Sequence, residues 1–288
     1  MPKINDFAHS KPTWCPGCGH FAVLNALSRA IIECGLKKEE TVCVSGIGCS
    51  SKLPEYLDTY GLHTIHGRSL PHAQGVKLAN PALTVISVGG DGDGFAIGCG
   101  HFIHAARRNV DITYILMNNQ VYSLTKGQTS PTSDRGFITK TSPEGAQEAP
   151  VNVLLTALTA GATFVGCGFS SDVAGLSSLI AAGIKHRGFS FINVISPCVT
   201  FNKLNTYDSY KKQSYKLSDI AGYDPHSYEK AIETAAGYFE KKPLGLLFKT
   251  ETSIFKETHI SEHPIAPAMQ DIFNPQKHSH LMQKYLRR

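Results

Sequence analysis

Apolar residues Phe21, Leu24, Leu27 and Ile31 recur at spacings of three and four, which predicts an amphipathic helix over His20–Cys34, stopped by Gly35. Beyond it, short runs rich in β-branched and aromatic residues recur at Thr41–Ser45, Leu83–Val88, Asp111–Met117, Thr163–Val165, Phe189–Ile195 and Leu244–Phe248. Helix-like stretches lie between them at Pro71–Ala79, Phe95–Arg108, Val151–Leu158, Ala174–His186 and Tyr228–Glu240. Continuous apolar strands alternating with helices predict an α/β fold with a doubly wound, mostly parallel sheet covered on both faces. In such a sheet ligands sit at the carboxyl ends of the strands. Two stretches read as irregular: Ser123–Pro150, rich in Thr, Ser, Gly and Pro, and Pro197–Pro225, rich in Tyr and Lys. Loops of that length are commonly functional. The expected division is an α/β domain over 1–225 and, over 226–288, a helix, a strand and an extended arm packed on that domain or on a partner.

Composition narrows the class. The chain has 288 residues, 42% hydrophobic and 18% charged, enough for one large domain or two modest ones with a real core. A net charge of +5 is too mild to imply nucleic acid, though it suits an acidic partner or an anionic ligand. The long uncharged stretch Ala149–Ser171 contains Asn152, three threonines and three glycines, so it reads as helix, turn and strand, and no membrane span is predicted. Lys3, Asp6, His9 and Lys11 interrupt the first residues, so no secretory leader is expected, and the eight cysteines are expected to be thiols in a cytoplasmic protein.

The sharpest local feature is Gly89-Gly90-Asp91-Gly92-Asp93-Gly94, between a predicted strand and a predicted helix. Glycines there let backbone approach a phosphate, and a helix N-terminus favours its charge. Two aspartates would repel a bare diphosphate, and a bound Mg²⁺ removes the conflict. Asn118-Asn119, after the next strand, supplies a second oxygen donor, and a right-handed βαβ unit puts it at the same sheet edge as Asp91. No Gly-Lys-Ser/Thr follows, so this is not an ATPase phosphate loop.

Cys15-Pro16-Gly17-Cys18 opens the first helix and reads as a redox pair, a zinc half-site or an iron–sulfur half-site. No strand precedes it, which weighs against the redox pair. Cys49 and Cys198 each follow a predicted strand, and four thiolates suit either tetrahedral zinc or a [4Fe–4S] cluster. Cys34, Cys43, Cys99 and Cys167 lie on helix or strand faces, where buried free thiols are ordinary.

Taken in order, Trp14-Cys-Pro-Gly-Cys-Gly-His20, Gly46-Ile-Gly-Cys-Ser-Ser-Lys52, His66-Gly-Arg68, Gly89-Gly-Asp-Gly-Asp93 and Asn118-Asn-Gln-Val-Tyr-Ser-Leu-Thr-Lys-Gly-Gln128 resemble the beta subunit of the 2-oxoacid:ferredoxin oxidoreductases, and most of all the 2-oxoglutarate type. The resemblance runs from about Trp14 to Tyr210. It implies the diphosphate-binding fold of thiamine enzymes. It also implies one [4Fe–4S] cluster on Cys15, Cys18, Cys49 and Cys198, and Mg²⁺ on Asp91, Asn119 and the Val121 carbonyl. Thiamine diphosphate would be lined by Ile47, Gly48, Cys49, Ser50, His66, Gly92, Asp93, Ser123 and Leu124. The implied activity is oxidative decarboxylation of a 2-oxoacid with coenzyme A, with electrons passed through the cluster to ferredoxin. The chain is too short to hold a pyrimidine-binding domain as well, so an alpha subunit with that domain is implied, in an αβ or (αβ)₂ assembly.

Within that resemblance Lys52 and Lys126 are candidate partners for substrate carboxylates. Pyruvate-type members tend to carry glycine at the second position, so the Lys126 ammonium suits the extra carboxylate of 2-oxoglutarate. Lys211, Lys212 and Lys216 read as a solvated face or as a surface for an acidic ferredoxin, and His101 and His104 as structural. The competing readings are a pyruvate or broad-range enzyme, a non-redox thiamine enzyme half with structural zinc, and a cluster-only electron adaptor.

Overall fold

The computed structural model describes residues 7–255, 267–269, 279 and 283. Four strands whose residues are almost all buried on both faces form its centre: β1 (Thr41–Ser45), β3 (Thr84–Gly90), β4 (Ile112–Asn118) and β6 (Phe189–Ile195). They run parallel, with Ser45 beside Val88, Gly90 beside Met117 and Asn118 beside Ile195, so their carboxyl ends stay level. Outside β1 lies β2 (Tyr60–His63), a parallel edge strand with all four residues exposed. Outside β6 lie β5 (Phe164–Phe169), parallel, then β8 (Lys242–Lys249), antiparallel to β5, and β7 (Ser214–Lys216), parallel to β8. The order is β2-β1-β3-β4-β6-β5-β8-β7.

Side chains alternate across the sheet as the strand period of two requires. Tyr114 and Leu116 of β4 join one core with Phe102 and Leu154, whereas Ile115 and Met117 join the other with Leu27 and Ile180. The first face is covered by α2 (Ser69–Ala79), α3 (Cys99–Arg108), α4 (Val153–Thr159) and α7 (Tyr228–Ala236), the second by α1 (His20–Glu33) and α5 (Val173–Lys185). This is the doubly wound α/β sheet expected from the alternation of elements. Among the described residues no helix is long and apolar enough to cross a membrane.

Four details differ from the sequence pattern. The single helix expected over Phe95–Arg108 is a wide helical turn, Asp93–Ile97, closed by Gly98 N–H donating to the Asp93 carbonyl, followed by α3. Such widened turns concentrate at functional sites. The strand expected at Thr163–Val165 runs on to Phe169, through Gly166 and Gly168. Cβ atoms there would lie 2.8 and 2.6 Å from Leu179 and Leu176, so the glycines admit α5 onto the sheet rather than end the strand. The stretch 197–225, read as irregular, contains α6 (Tyr207–Gln213), capped by Thr206, and β7. The helix expected over Tyr228–Glu240 ends as α7 at Ala236 and finishes in a tight turn, Gly237–Phe239. With α7 and β8 in the same layers as the rest, residues 228–249 share the one sheet. The arm expected beyond Thr258 falls outside the described residues, apart from 267–269, 279 and 283.

Candidate active site

The chain leaves β1 for the sheet edge on one side, at β2, and returns to the other side of β1 as β3. That reversal opens a crevice beyond the carboxyl ends of β1 and β3, where ligands of open α/β sheets sit. A cavity of about 500 Å³ occupies it, walled by three segments that each follow a strand, Ile47–Ser50, Gly90–Asp93 and Asn119 with Val121–Thr125, and by His66, Gln128 and Thr129. Each residue expected to line thiamine diphosphate (Ile47, Gly48, Cys49, Ser50, His66, Gly92, Asp93, Ser123 and Leu124) belongs to this wall, as do Asp91, Asn119 and Val121.

Asp91 is fully buried, and every partner of its carboxylate is neutral. Oδ1 accepts from Asn119 N–H at 3.3 Å, and Oδ2 accepts from the Thr132 hydroxyl at 2.8 Å. Burial consequently raises its pKa, against the opposing pull of the hydrogen bonds. A buried carboxylate without a cationic neighbour is the donor a hard divalent ion needs, so the residues present fit Mg²⁺. Asn119 joins it from the next strand end. Its Oδ1 accepts from Val121 N–H at 3.1 Å, and Gln120 between them takes a left-handed φ of 57°. A non-glycine residue in that region is uncommon and tends to mark a functional turn. Gln120 is held there by its amide, which donates to the Thr132 carbonyl at 2.6 Å, and by the Tyr210 hydroxyl.

Asp93 has a second task. Its Oδ1 accepts from the backbone N–H of Ile47 at 2.9 Å and of Gly67 at 2.7 Å, tying the loops after β1 and β2 to the glycine loop. His66 Nδ1 stands 3.1 Å from the same oxygen, although the ring is turned so that no aligned hydrogen bond forms. Oδ2 is buried without a partner and faces Gly46, where a Cβ would come within 2.2 Å of it. Burial raises the Asp93 carboxyl as well. Gly92 is pressed against the Tyr122 ring, whose hydroxyl donates to the Gly92 carbonyl at 3.0 Å. A cradle this tight, with bare backbone facing the cavity, fits a diphosphate held through N–H groups and a cation.

The four thiols come from three places. The α1 N-terminus is docked on the end of β6. Gly19 N–H donates to the Pro197 carbonyl at 3.2 Å, His20 Nδ1 lies 2.8 Å from Ser196 Oγ, and a Cβ on Gly19 would meet Ser196 and Ser170 within 2.9 Å. Trp14 Nε1 donates to the Cys49 carbonyl at 2.6 Å, joining the Cys-x-x-Cys turn to the loop after β1. Cys18 is consequently raised to about 12, first by burial and further by the nearby sulfurs of Cys198, Cys49 and Cys15. Thiolates that repel one another in a half-buried site fit a soft cationic centre with four sulfur ligands. Among the described residues, no three His, Cys, Asp or Glu side chains are arranged to hold a single metal ion. Cys34, Cys43, Cys99 and Cys167 are free thiols, with Cys43 and Cys167 fully buried.

Neither candidate lysine lines the cavity. Lys52 Nζ donates to Thr13 Oγ1 at 3.2 Å and favours the ionised form of Cys49. Lys126 is exposed at the tip of the Tyr122–Gln128 turn, with φ at 75°. The pattern assigned no role to Thr132, Gln120 or Asn202. Thr132 lies in the polar stretch that reads only as a long loop. Asn202, which donates to the Asn119 carbonyl at 3.1 Å, lies in the other such loop.

Comparison with known proteins agrees with this geometry. The profile of the thiamine pyrophosphate enzyme C-terminal TPP-binding domain matches residues 46–194, and that of the C-terminal part of the pyruvate ferredoxin oxidoreductase beta subunit matches 198–262. The chain is 43% identical to the 2-oxoacid:ferredoxin oxidoreductase subunit beta of Saccharolobus solfataricus, over 92% of this chain and 89% of that one. It is 41% identical to the 2-oxoglutarate synthase subunit KorB of Archaeoglobus fulgidus, over 80% and 85%. Among solved structures it matches the 2-oxoglutarate:ferredoxin oxidoreductase of Magnetococcus marinus, described with 2-oxoglutarate, coenzyme A and succinyl-CoA bound. The TM-score is 0.89 at 40% identity, covering 97% of this chain and 96% of that one.

Proposed function

The chain belongs to the family of 2-oxoacid:ferredoxin oxidoreductase beta subunits, and from that premise we propose that it oxidatively decarboxylates 2-oxoglutarate with coenzyme A, delivering electrons to ferredoxin. It acts with an alpha subunit that carries the pyrimidine-binding domain, as an αβ or (αβ)₂ assembly in the cytoplasm, where its thiols stay reduced.

Asp91, Asn119 and the Val121 carbonyl would hold Mg²⁺. The segments Ile47–Ser50, Gly92–Asp93 and Ser123–Leu124, with His66, would hold thiamine diphosphate. Cys15, Cys18, Cys49 and Cys198 would hold one [4Fe–4S] cluster. When bound, the thiamine ring supplies the electron sink for decarboxylation and the cluster a one-electron outlet. The protein's own contribution is placement. Asp91 brings the charge that draws the cation, Asp93 fixes the loops after β1 and β2 against each other, and the glycines leave backbone N–H groups bare. Cys49 belongs at once to the cavity wall and to the set of interacting sulfurs, and this shared residue is the observation that carries the redox reading. Lys126 and Lys52 would meet substrate carboxylates at the rim. The part from residue 226 onward would pack on the 1–225 domain, whose sheet β8 joins beside β5.

The test is anaerobic co-purification with the alpha partner, followed by metal and thiamine analysis and a panel of 2-oxoacids with coenzyme A and ferredoxin. About four irons and one thiamine diphosphate per beta chain, with 2-oxoglutarate turned over faster than pyruvate, is the expected result. Zinc in place of iron overturns the redox reading, and faster pyruvate turnover overturns the substrate.

A further inference from the structure

The two donors on the Asp91 carboxylate differ in kind. The Asn119 N–H that reaches Oδ1 at 3.3 Å is backbone and comes with the end of β4. The Thr132 hydroxyl that reaches Oδ2 at 2.8 Å is a side chain, brought back from a loop 41 residues further along the chain. A carboxylate held at one oxygen still turns easily about its Cβ–Cγ bond, whereas a second tether on the other oxygen stops that rotation.

Thr132 is itself fixed. Its carbonyl accepts from the Gln120 amide at 2.6 Å, and its Oγ1 lies 3.0 Å from Asn118 Oδ1. The backbone N–H of Gln120 donates to that same Asn118 oxygen at 3.3 Å, which settles the orientation of the Asn118 amide. Its nitrogen then donates to Asn193 Oδ1 at 3.2 Å, and the Asn193 nitrogen donates to the Tyr238 hydroxyl at 2.9 Å. Asn118, Asn193 and Tyr238 are all buried. A line of polar side chains thus runs from Asp91 through β4 and β6 to the turn after α7, past the end of the thiamine-domain match at residue 194. Thr132 shares its single proton between two acceptors, and the nearer, charged one takes the larger share.

We propose that Thr132 is a positioning residue for the cation: its hydroxyl locks the Asp91 carboxylate in the orientation that receives Mg²⁺. This rests on the assignment of Asp91, Asn119 and the Val121 carbonyl to Mg²⁺. The choice of a hydroxyl matters electrostatically. A lysine or arginine in its place would pair with the carboxylate and compete with the ion, whereas a neutral donor orients the group and leaves its charge available. Thr132 is only 3% exposed, so bulk water does not reach the carboxylate to take over the contact. Hydrogen-bond partners of metal ligands carry about 10–100-fold in metal affinity, and Thr132 is the one side chain among the donors to Asp91 described above that substitution can remove.

The experiment uses the anaerobic complex of alpha and beta subunits, stripped of divalent ions and thiamine diphosphate. Equilibrium dialysis reads bound thiamine diphosphate as free Mg²⁺ is raised, for the wild type, Thr132→Val, Thr132→Ser and Thr132→Ala. Thr132→Val keeps the shape and loses the hydroxyl, and its Mg²⁺ midpoint is expected to rise by about 10–100-fold. Thr132→Ser keeps the hydroxyl and is expected to stay close to the wild type. A valine midpoint that is unchanged or lower overturns the proposal, as does a serine variant that behaves like valine. A merely structural part would lower the melting temperature without moving the midpoint, which is the same overturning result. Should Thr132→Val yield no folded complex, the serine and alanine variants decide, since they differ only in the hydroxyl. A higher midpoint for alanine than for serine supports the proposal, and equal midpoints overturn it. Wild-type complex that binds thiamine diphosphate without any need for Mg²⁺ overturns the cation assignment itself, a result separable from equal midpoints in proteins that do need it.

Discussion

At the scale of single residues the site is governed by two buried carboxyl groups. Asp91 and Asp93 both have carboxyls raised above the ordinary value of 3.8 by burial. Their contribution to the stability of the cation-free protein is therefore present below that value and lost as pH rises through the raised folded values. Asp91→Asn is expected to remove part of this slope, and Mg²⁺ with thiamine diphosphate is expected to raise the melting temperature of the wild type at neutral pH but not of Asp91→Asn; thermal unfolding across pH checks both. His20 titrates in the opposite sense. Burial lowers it from 6.5 to about 4, so stability is present above 6.5 and lost as pH falls through about 4. The loss amounts to about 3 kcal/mol at 1.36 kcal/mol per pH unit. His20→Gln flattens the acid limb of the stability curve, measurable by denaturant unfolding at stepped pH. Lys126 holds a left-handed backbone conformation that glycine adopts freely. Lys126→Gly is therefore expected to stabilise the fold by about 1 kcal/mol while shifting the ratio of 2-oxoglutarate to pyruvate turnover towards pyruvate. An unchanged ratio removes Lys126 from substrate choice.

At the scale of elements, the docking of α1 on the end of β6 decides where half the thiols go. Gly19 has no room for a side chain, since a Cβ would stand 2.9 Å from the Ser196 backbone carbon. Gly19→Ala is therefore expected to tilt the start of α1, cost about 1–3 kcal/mol and release iron from the complex, read by melting temperature and iron content together. The elements were largely legible in the pattern, because β1 and β6 are short runs rich in β-branched and aromatic residues and α1 keeps a clean helical period. The continuation of β5 was not, because Gly166 and Gly168 weaken a strand signal whose cause is the approach of Leu176 and Leu179 from α5. Motif spacing pointed to the wall of the cavity, since the glycine loop and the turns at Cys49 and Asn119 directly follow strands. Thr132 and Asn202 were hidden because their roles depend on loops folding back over the site, and no local period records that.

At the scale of the whole molecule, a crevice at the reversal of strand order gathers segments distant in the chain, and the arrangement is complete only when β1, β3, β4 and β6 lie side by side. The beta chain alone is therefore expected to fold with this sheet yet show no 2-oxoacid turnover until the alpha partner is added, which a titration of one subunit into the other reads directly. The same arrangement bears on synthesis. Cys15 and Cys18 leave the ribosome early, whereas Cys198 follows after roughly 10–40 s at ordinary elongation rates. On the proposed ligand set the nascent chain would, through that interval, offer an unfinished chelate, open to whichever thiophilic ion arrives first, and loading with iron would have to wait until translation has passed the end of β6.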